Sequence, residues 1–180
     1  GDLLNPFAIR PAAQLSIDSN PFKSALLAEP TGTPPKMAVK VDPKTSSALT
    51  FLRVLVVDDS EVNRFILCEL LGTLGIKATV ACNGEEAVAA FKHSTLDVIF
   101  MDIQMPVMDG VAATAAIKTL QSDQNFSPDC VIVGVSAHAM SGDREKYLAL
   151  GMSDYLTKPI DRKHLDSCLS AVVKELRGEY

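Results

Sequence analysis

Met-Asp-Ile-Gln-Met-Pro-Val-Met-Asp-Gly, residues 101–110, places one acid, Asp102, at the point where an apolar run ends and a turn begins. Two distant apolar runs end in the same way, one in the acidic pair Asp58-Asp59 and the other in Lys158. Short apolar runs between helical patterns predict buried strands of a parallel sheet. Because the carboxyl ends of such strands share one edge of the sheet, where ligands bind, we expect the three acids and the lysine to converge there.

The convergence of these charges predicts a particular chemistry. Three carboxylates at one edge repel one another, so they need a cation or must take up protons. A cluster of oxygen ligands that is partly open to water suits Mg²⁺, whereas the lack of His and Cys in these turns disfavours softer metals. Lys158 would act as a point charge on a phosphoryl oxygen, and Ser136, which follows the apolar run 131–135, adds a hydroxyl donor. Together these groups are suited to receiving a phosphoryl group on a carboxylate.

Four motifs carry a resemblance to a known family. From about residue 52 to residue 177 the chain resembles the receiver domain of two-component response regulators. The motifs occur in this order: Asp58-Asp59, Met101-Asp102 followed by Met105-Pro106 and Asp109-Gly110, Ser136-Ala137, and Lys158-Pro159. Residues 58–64 and 104–106 are most similar to receivers fused to hybrid histidine kinases, although Asn is commoner than Ser at position 60 in those proteins. The resemblance implies a module of a two-component phosphorelay, with a hybrid histidine kinase as its parent protein.

The resemblance implies roles for the acids and the lysine. Asp102 is the phosphorylated residue, and Asp59 and Asp102 bind Mg²⁺ directly, together with the backbone carbonyl of Gln104. We expect Asp58 to contribute to the metal site through water. The family pattern also implies a cis peptide bond after Lys158, which directs the amine inward.

The resemblance further implies a conformational switch, and two side chains near the site bear on how fast the phosphoryl group is lost. Ser136 supplies the phosphate-sensing hydroxyl, and Tyr155 is the aromatic side chain that turns inward when this hydroxyl moves. Gln104 and His138, two residues after Asp102 and Ser136 respectively, flank the path of the attacking water in this family. Neither side chain is a carboxylate and His138 is bulky, so we expect slow to moderate hydrolysis of the phosphoryl group.

Residues 51–180 alternate strand and helix patterns five times. With right-handed crossovers, this alternation predicts an α/β fold, a flavodoxin-like, doubly wound parallel sheet of five strands in the order 2-1-3-4-5. The predicted strands lie at 54–57, 77–82, 98–101, 131–135 and 154–157. The predicted helices begin at the cap residue Ser60, after Asn83-Gly84, at Gly110, near Ser141 and at the cap residue Asp161.

Two of these helices have apolar residues at helical spacing. In the first helix, one stripe is formed by Val62, Phe65, Ile66, Leu70 and Leu74. In the last helix the period of about 3.6 residues is clearest, and it contains Leu165, Cys168, Leu169, Val172, Val173 and Leu176. The pair Asp109-Gly110 indicates a turn before the third helix rather than a second metal site.

The first fifty residues have a different composition from the remainder. They hold seven of the ten prolines, with Ser and Thr between them, which predicts a Pro-rich linker or extended N-terminal arm ahead of a domain at 51–180. The apolar side chains of this arm favour its docking on that domain or on a neighbouring chain. Asn-Pro-Phe occurs at 5–7 and at 20–22, either as two turns that each bury a Phe or as short ligands for a trafficking-type domain.

Composition bounds the partners and the compartment. Residues 1–50 carry five basic and four acidic side chains, a net charge of +1, and residues 51–180 carry twelve basic and eighteen acidic side chains, a net charge of −6. The whole chain therefore has a net charge of −5. Because the domain at 51–180 is negative, we expect it to be a poor nucleic-acid binder. No apolar run is long enough to predict a membrane span. The four cysteines show no paired spacing, which predicts buried thiols in a reducing cytosol. We therefore expect a cytoplasmic location, which also fits a domain at the cytoplasmic end of a membrane-bound parent protein. A first residue other than Met indicates a piece of a longer protein.

The predicted function is a phosphoacceptor switch. We expect the donor to be a histidine-phosphotransfer domain or a histidine kinase domain, and another domain or protein to read the result. One alternative is a pseudo-receiver that only binds partners, although such modules usually lose an acid or the lysine. Another is a phosphohydrolase of the haloacid-dehalogenase type, although Gln104 lies where those enzymes carry an Asp as general acid. In a third interpretation, Asp58 and Asp59 merely cap the first helix.

Overall fold

The computed structural model describes residues 49–123, 126, 129–138 and 142–178. The arm predicted over residues 1–50 therefore lies outside the described residues except for its last two positions. The same holds for both Asn-Pro-Phe segments, so the predictions made for them stay predictions.

Five parallel strands form a single sheet. They are β1 (Val54–Val57), β2 (Ala78–Ala81), β3 (Val98–Asp102), β4 (Val131–Ser136) and β5 (Asp154–Thr157). Their order is β2-β1-β3-β4-β5 and every pairing is parallel, which confirms the predicted topology. The three central strands are buried along their whole length, as is expected where helices cover both faces of a parallel sheet.

Four strand boundaries, in three strands, differ from the prediction by one residue. β2 lacks the predicted end residues Lys77 and Cys82, whereas β3 extends to Asp102 and β4 extends to Ser136. Asp102 is the last residue paired with β4, opposite Val135. The backbone of both functional candidates is thus held by the sheet itself rather than by a loop.

Five helices connect the strands: α1 (Glu61–Gly72), α2 (Gly84–His93), α3 (Gly110–Gln121), α4 (Asp143–Ala149) and α5 (Arg162–Leu176). Four of them, α1, α2, α3 and α5, begin after a capping residue whose side chain accepts a hydrogen bond from a backbone N–H of the first turn. The capping residues are Ser60, Asn83, Asp109 and Asp161, in that order. These caps confirm the predicted starts and the assignment of Asp109 to a turn. α4 begins at Asp143, because Gly142 has a left-handed backbone with φ of 98°.

Apolar clusters cover both faces of the sheet. On one face, alternate residues of the central strands pack against α1 and α5 through Leu67, Leu71, Leu165 and Leu169. On the other face, the remaining strand residues pack against α2 and α3 through Ala87, Phe91, Ala113 and Ile117. None of the helices in the described part of the chain has the length and hydrophobicity needed to cross a bilayer.

The apolar stripe predicted on α1 packs on the sheet only in part: Leu70, and Leu74 just after the helix, are half-buried against the core. Val62, Phe65 and Ile66 are 66%, 63% and 47% exposed, whereas Leu67 and Leu71 are buried. Apolar residues occur on more than one side of this helix, so their spacing alone cannot identify the packed side. The consequence is an apolar surface, made of Val62, Phe65 and Ile66, that we call the α1 face.

The prediction that all four thiols are buried holds for only two of them. Cys130 and Cys168 are buried, Cys68 is half-buried and Cys82 is exposed. Burial raises the pKa of the Cys130 and Cys168 thiols to about 12. Cys82 differs because it follows β2, an edge strand whose outer residues no further strand covers.

Candidate functional site

Three carboxylates converge at the carboxyl edge of the sheet, as the sequence predicts. Asp58 and Asp59 follow β1 and Asp102 ends β3, its neighbour in the sheet. One oxygen atom from each of the three side chains lies within 4.8 Å of the others. Asp58 and Asp102 are buried and Asp59 is exposed, so the cluster opens to solvent on the side of Asp59.

Lys158 completes this cluster from the end of β5. Its Nζ atom lies 2.6 Å from Asp58 Oδ2 and 2.6 Å from Asp102 Oδ2. The backbone N–H of Lys158 donates to the carbonyl of Ser136 at 2.8 Å, and the following peptide bond to Pro159 is cis, as the family pattern implies. The amine is therefore directed across β4 toward the acids.

Burial and the ion pairs act in opposite directions on these groups. Burial raises the pKa of Asp102 and outweighs the hydrogen bond from Lys158, which lowers it. Burial lowers the pKa of Lys158, but the hydrogen bonds to Asp102 and Asp58 and the negative charge of these two acids together outweigh burial, so the net pKa of the amine is raised. Lys158 consequently stays protonated near neutral pH and acts as a counter-ion for both buried carboxylates.

The loop that carries the acid pair is held by the first turn of α1. Asp58 Oδ1 accepts hydrogen bonds from the backbone N–H of Ser60 at 2.9 Å and from Asn63 Nδ2 at 3.1 Å. Arg64 Nη1 donates to the backbone carbonyls of Asp58 and Asp59 at 2.7 and 3.2 Å. Asn63 and Arg64 lie within the segment 58–64 that carries the family resemblance, but no role for either side chain could be predicted from it.

Because Ser60 caps α1, the acids do not. Ser60 Oγ accepts the backbone N–H of Asn63, which is the capping interaction. The interpretation of Asp58 and Asp59 as helix caps is therefore wrong, and their carboxylates are available at the edge of the sheet.

The loop between β3 and α3 is held closely against Asp102. Asp102 Oδ1 accepts the backbone N–H of Gln104 at 3.1 Å, and the carbonyl of Ile103 accepts the N–H of Gly110 at 3.0 Å. A Cβ atom at Gly110 would lie 2.0 Å from the carbonyl oxygen of Asp102, so only glycine fits there. Gly84 donates its N–H to the carbonyl of Met108 at 3.0 Å, which attaches this loop to α2.

Ser136 and its neighbours lie at the same edge of the sheet. The Ser136 hydroxyl donates to the carbonyl of His138 at 2.9 Å and accepts the N–H of His138 at 3.2 Å, so it is held within its own turn. Ser136 is buried and the His138 side chain is exposed. Tyr155, half-buried on β5, lies with its ring centroid 6.1 Å from that of Tyr147.

The donor set fits a hard divalent cation. All three side chains of the cluster offer carboxylate oxygens, and the exposure of Asp59 leaves room for the water ligands that Mg²⁺ retains. Lys158 balances part of the negative charge of the two buried acids. The side-chain chemistry that the sequence predicts is thus present in one place.

Comparison with known proteins agrees with this geometry. Residues 54–170, more than half of the chain, match the family described as the response regulator receiver domain. The chain belongs to the response regulator receiver family. Within it, the sensor histidine kinase GacS of Pseudomonas protegens is 41% identical to this receiver over 113 residues, which are 63% of this chain and 12% of GacS.

Two solved structures are similar to this receiver. The receiver domain of the sensor histidine kinase PA1611 from Pseudomonas aeruginosa PAO1, with a magnesium ion coordinated in the active site cleft, is 34% identical with a TM-score of 0.60. That match covers 68% of this chain and 97% of the other. The receiver domain of Ssk1, in a co-crystal with the histidine phosphotransfer protein Ypd1 of Saccharomyces cerevisiae, is 34% identical with a TM-score of 0.60, covering 66% of this chain and 86% of that one.

The receiver corresponds to a small part of its relatives. It spans 4% of hybrid signal transduction histidine kinase G of Dictyostelium discoideum, 12% of GacS and 13% of BarA from Escherichia coli K12. The similarity to hybrid histidine kinases therefore concerns their receiver domains.

Proposed function

We propose that this receiver accepts a phosphoryl group from a phosphohistidine donor onto Asp102 in a Mg²⁺-dependent step and thereby switches a partner-binding surface. The observation that carries the proposal is the contact of Lys158 with both Asp58 and Asp102 inside the cluster of three carboxylates. The receiver is proposed to be part of a larger hybrid histidine kinase and to work in the cytoplasm.

In the proposed transfer, a carboxylate oxygen of Asp102 attacks the phosphorus atom of the donor. The new P–O bond forms as the P–N bond of the phosphohistidine breaks, and the electron pair of that bond stays on the imidazole nitrogen. Lys158 can leave Asp102 and pair with a phosphoryl oxygen while its second partner, Asp58, keeps the amine in place. Burial of Asp102 strengthens this interaction, because charges attract one another more strongly away from water.

The metal site in this proposal uses side chains already brought together. Asp59, Asp102 and the backbone carbonyl of Gln104 would hold Mg²⁺, with Asp58 contributing through water. When bound, the ion neutralises negative charge on the transferring phosphoryl group. The proposal that Gln104 supplies its carbonyl is consistent with the hydrogen bond from its N–H to Asp102, which keeps this peptide next to the site.

The switch would begin at Ser136. A phosphoryl group adds a charge of roughly −2 at Asp102 and supplies strong acceptor oxygens. For the Ser136 hydroxyl to donate to them, it must give up its hydrogen bond to the carbonyl of His138. Movement of this turn leaves space that Tyr155 would fill, and the surface formed by α4, β5 and α5 would then change between two arrangements.

The α1 face supports a protein donor. Ile66 lines a cavity of about 90 Å³ together with Asp58, Lys158 and Pro159, so the α1 face lies beside two residues that contact the acid cluster. A donor that buries Val62 and Phe65 would bring its histidine close to Asp102. The Ssk1 receiver, which is similar in fold and sequence, was crystallised with a histidine phosphotransfer protein, and this supports a partner of that class for the present chain.

The first prediction tests the phosphoacceptor. Incubation with acetyl phosphate and Mg²⁺ should add one phosphoryl group to the protein, measured by intact mass, because Asp102 is the only one of the three acids that ends a strand beside Lys158. Asp102→Asn should abolish the adduct, and Asp109→Asn, a cap outside the cluster, serves as the control. Label that survives in Asp102→Asn, or wild type without label, would contradict the assignment; the second result would favour the pseudo-receiver alternative.

A further inference from the structure

Arg64 makes an unusual contact with the acid pair. Its Nη1 atom donates to the backbone carbonyl of Asp58 at 2.7 Å and to that of Asp59 at 3.2 Å. These bonds go to the main chain, not to the carboxylates, so Arg64 does not form a side-chain ion pair with either acid. One guanidinium nitrogen thus holds two successive carbonyls and restrains the peptide unit between them.

The two acids depend on this restraint to different extents. The carboxylate of Asp58 is held independently by the N–H of Ser60, by Asn63 and by Lys158. The carboxylate of Asp59 is exposed and has no hydrogen bond to another side chain or N–H in the described part of the chain. Its position near Asp102 is therefore set through its backbone, and Arg64 is the side chain that holds that backbone.

We propose that Arg64 is a positioning residue for the cation site, which acts by holding the Asp58-Asp59 main chain so that Asp59 faces Asp102. The inference rests on the proposed function, since it assumes that the three carboxylates bind Mg²⁺. It adds a residue that touches neither the metal nor the phosphoryl group. Groups that orient the ligands of a metal commonly change its affinity by about 10-fold to 100-fold when removed.

The positive charge of Arg64, taken alone, predicts the opposite effect on Mg²⁺ affinity. The direction in which the affinity changes therefore tests the proposal. Arg64 is a cation close to a cation site, so removing its charge should favour Mg²⁺ binding if the charge is all that matters. Loss of positioning should instead weaken binding. Arg64→Met keeps much of the aliphatic stem and removes the guanidinium, so it separates the two effects.

The experiment is a calorimetric titration of the receiver with magnesium chloride at fixed ionic strength, with urea unfolding measured in parallel. We expect Arg64→Met to bind Mg²⁺ about tenfold more weakly than wild type. The matched control is Arg53→Met. It also replaces an arginine by methionine, but this guanidinium pairs with Asp97 at the opposite edge of the sheet, away from the acid cluster. This control should lose stability but retain wild-type affinity for Mg²⁺.

The outcomes separate the two proposals. Unchanged or tighter binding in Arg64→Met would overturn the positioning role, whereas a wild-type protein that does not bind Mg²⁺ would overturn the proposed function. If Arg64→Met does not fold, Arg64→Gln replaces it, because glutamine removes the charge and its shorter side chain brings its amide less far toward the two carbonyls. Weaker Mg²⁺ binding in Arg64→Gln supports the proposal, and unchanged or tighter binding in that variant overturns it.

Discussion

At the scale of single residues, the turn that follows β4 connects Ser136, the proposed switch residue, with His138, the residue proposed to shield the phosphoryl group. The Ser136 hydroxyl and the backbone of His138 are joined by two hydrogen bonds. His138 itself is exposed. A rearrangement that frees the Ser136 hydroxyl would therefore remove a restraint on the backbone of His138.

This coupling gives a prediction for the rate of dephosphorylation. We expect His138→Ala to lose the acyl phosphate several-fold faster than wild type, because the proposed role of the imidazole is to obstruct the in-line approach of water to phosphorus. The measurement is the decay of the phosphorylated protein by intact mass at neutral pH. His93→Ala, which changes an exposed histidine at the end of α2, is the control and should decay like wild type. Slower decay in His138→Ala would refute the shielding role.

At the scale of elements, the beginnings of β1 and β3 are joined by a charged contact far from the site. Asp97 accepts hydrogen bonds from the backbone N–H, Nε and Nη2 of Arg53 at 2.7, 2.9 and 2.7 Å. The hydrogen bond from the Arg53 side chain lowers the pKa of Asp97 below its ordinary value. The ionised acid therefore stabilises the register of two central strands at their amino ends.

The lowered pKa makes the contribution of this contact depend on pH. A carboxyl whose pKa is lower in the folded state stabilises the fold above its unfolded pKa of about 3.9, and this contribution is lost as pH falls through the folded pKa. We expect Asp97→Asn to lower the free energy of unfolding by about 1 kcal/mol at pH 7, a modest value because Arg53 is half-exposed and screened by water.

The measurement is urea unfolding of wild type and Asp97→Asn between pH 7 and pH 3. The difference between the two proteins should shrink as the pH falls below about 4. Glu69→Gln, an exposed acid on α1, is the control and should differ little from wild type across this range. A difference that is constant with pH would mean that the ionised form of Asp97 makes no special contribution.

At the scale of the whole molecule, the α1 face provides a way to distinguish chemistry from recognition. The side chains of the proposed phosphoacceptor site all lie at one edge of the sheet, so a small phosphodonor would need no further protein surface, whereas a protein donor would have to dock. Phe65 lies on the α1 face, and Phe51, 82% exposed, precedes β1 at the opposite edge of the sheet.

We therefore expect Phe65→Glu to reduce phosphotransfer from a phosphorylated histidine-phosphotransfer domain by at least about tenfold, because a buried charge at an apolar contact is costly. Phosphorylation by acetyl phosphate should be unaffected, and Phe51→Glu should behave like wild type with both donors. Equal rates for Phe65→Glu and wild type with the protein donor would show that docking uses another surface.

The sequence by itself determined the strand order, the four strand ends at which the candidate site residues lie, and the identity of Asp58, Asp59, Asp102 and Lys158 as the residues that meet. This was possible because apolar runs and caps are local signals, and parallel strands always bring their carboxyl ends to one edge. The exposed side of α1 was decided only by the tertiary structure, because this helix has apolar residues on several sides and the better-packed one, with Leu67 and Leu71, excludes the others from the core. The contacts of Arg64 and Ser136 were likewise decided there. Each is a hydrogen bond to a backbone carbonyl, an acceptor that every residue possesses, so no pattern of side chains in the sequence can identify it.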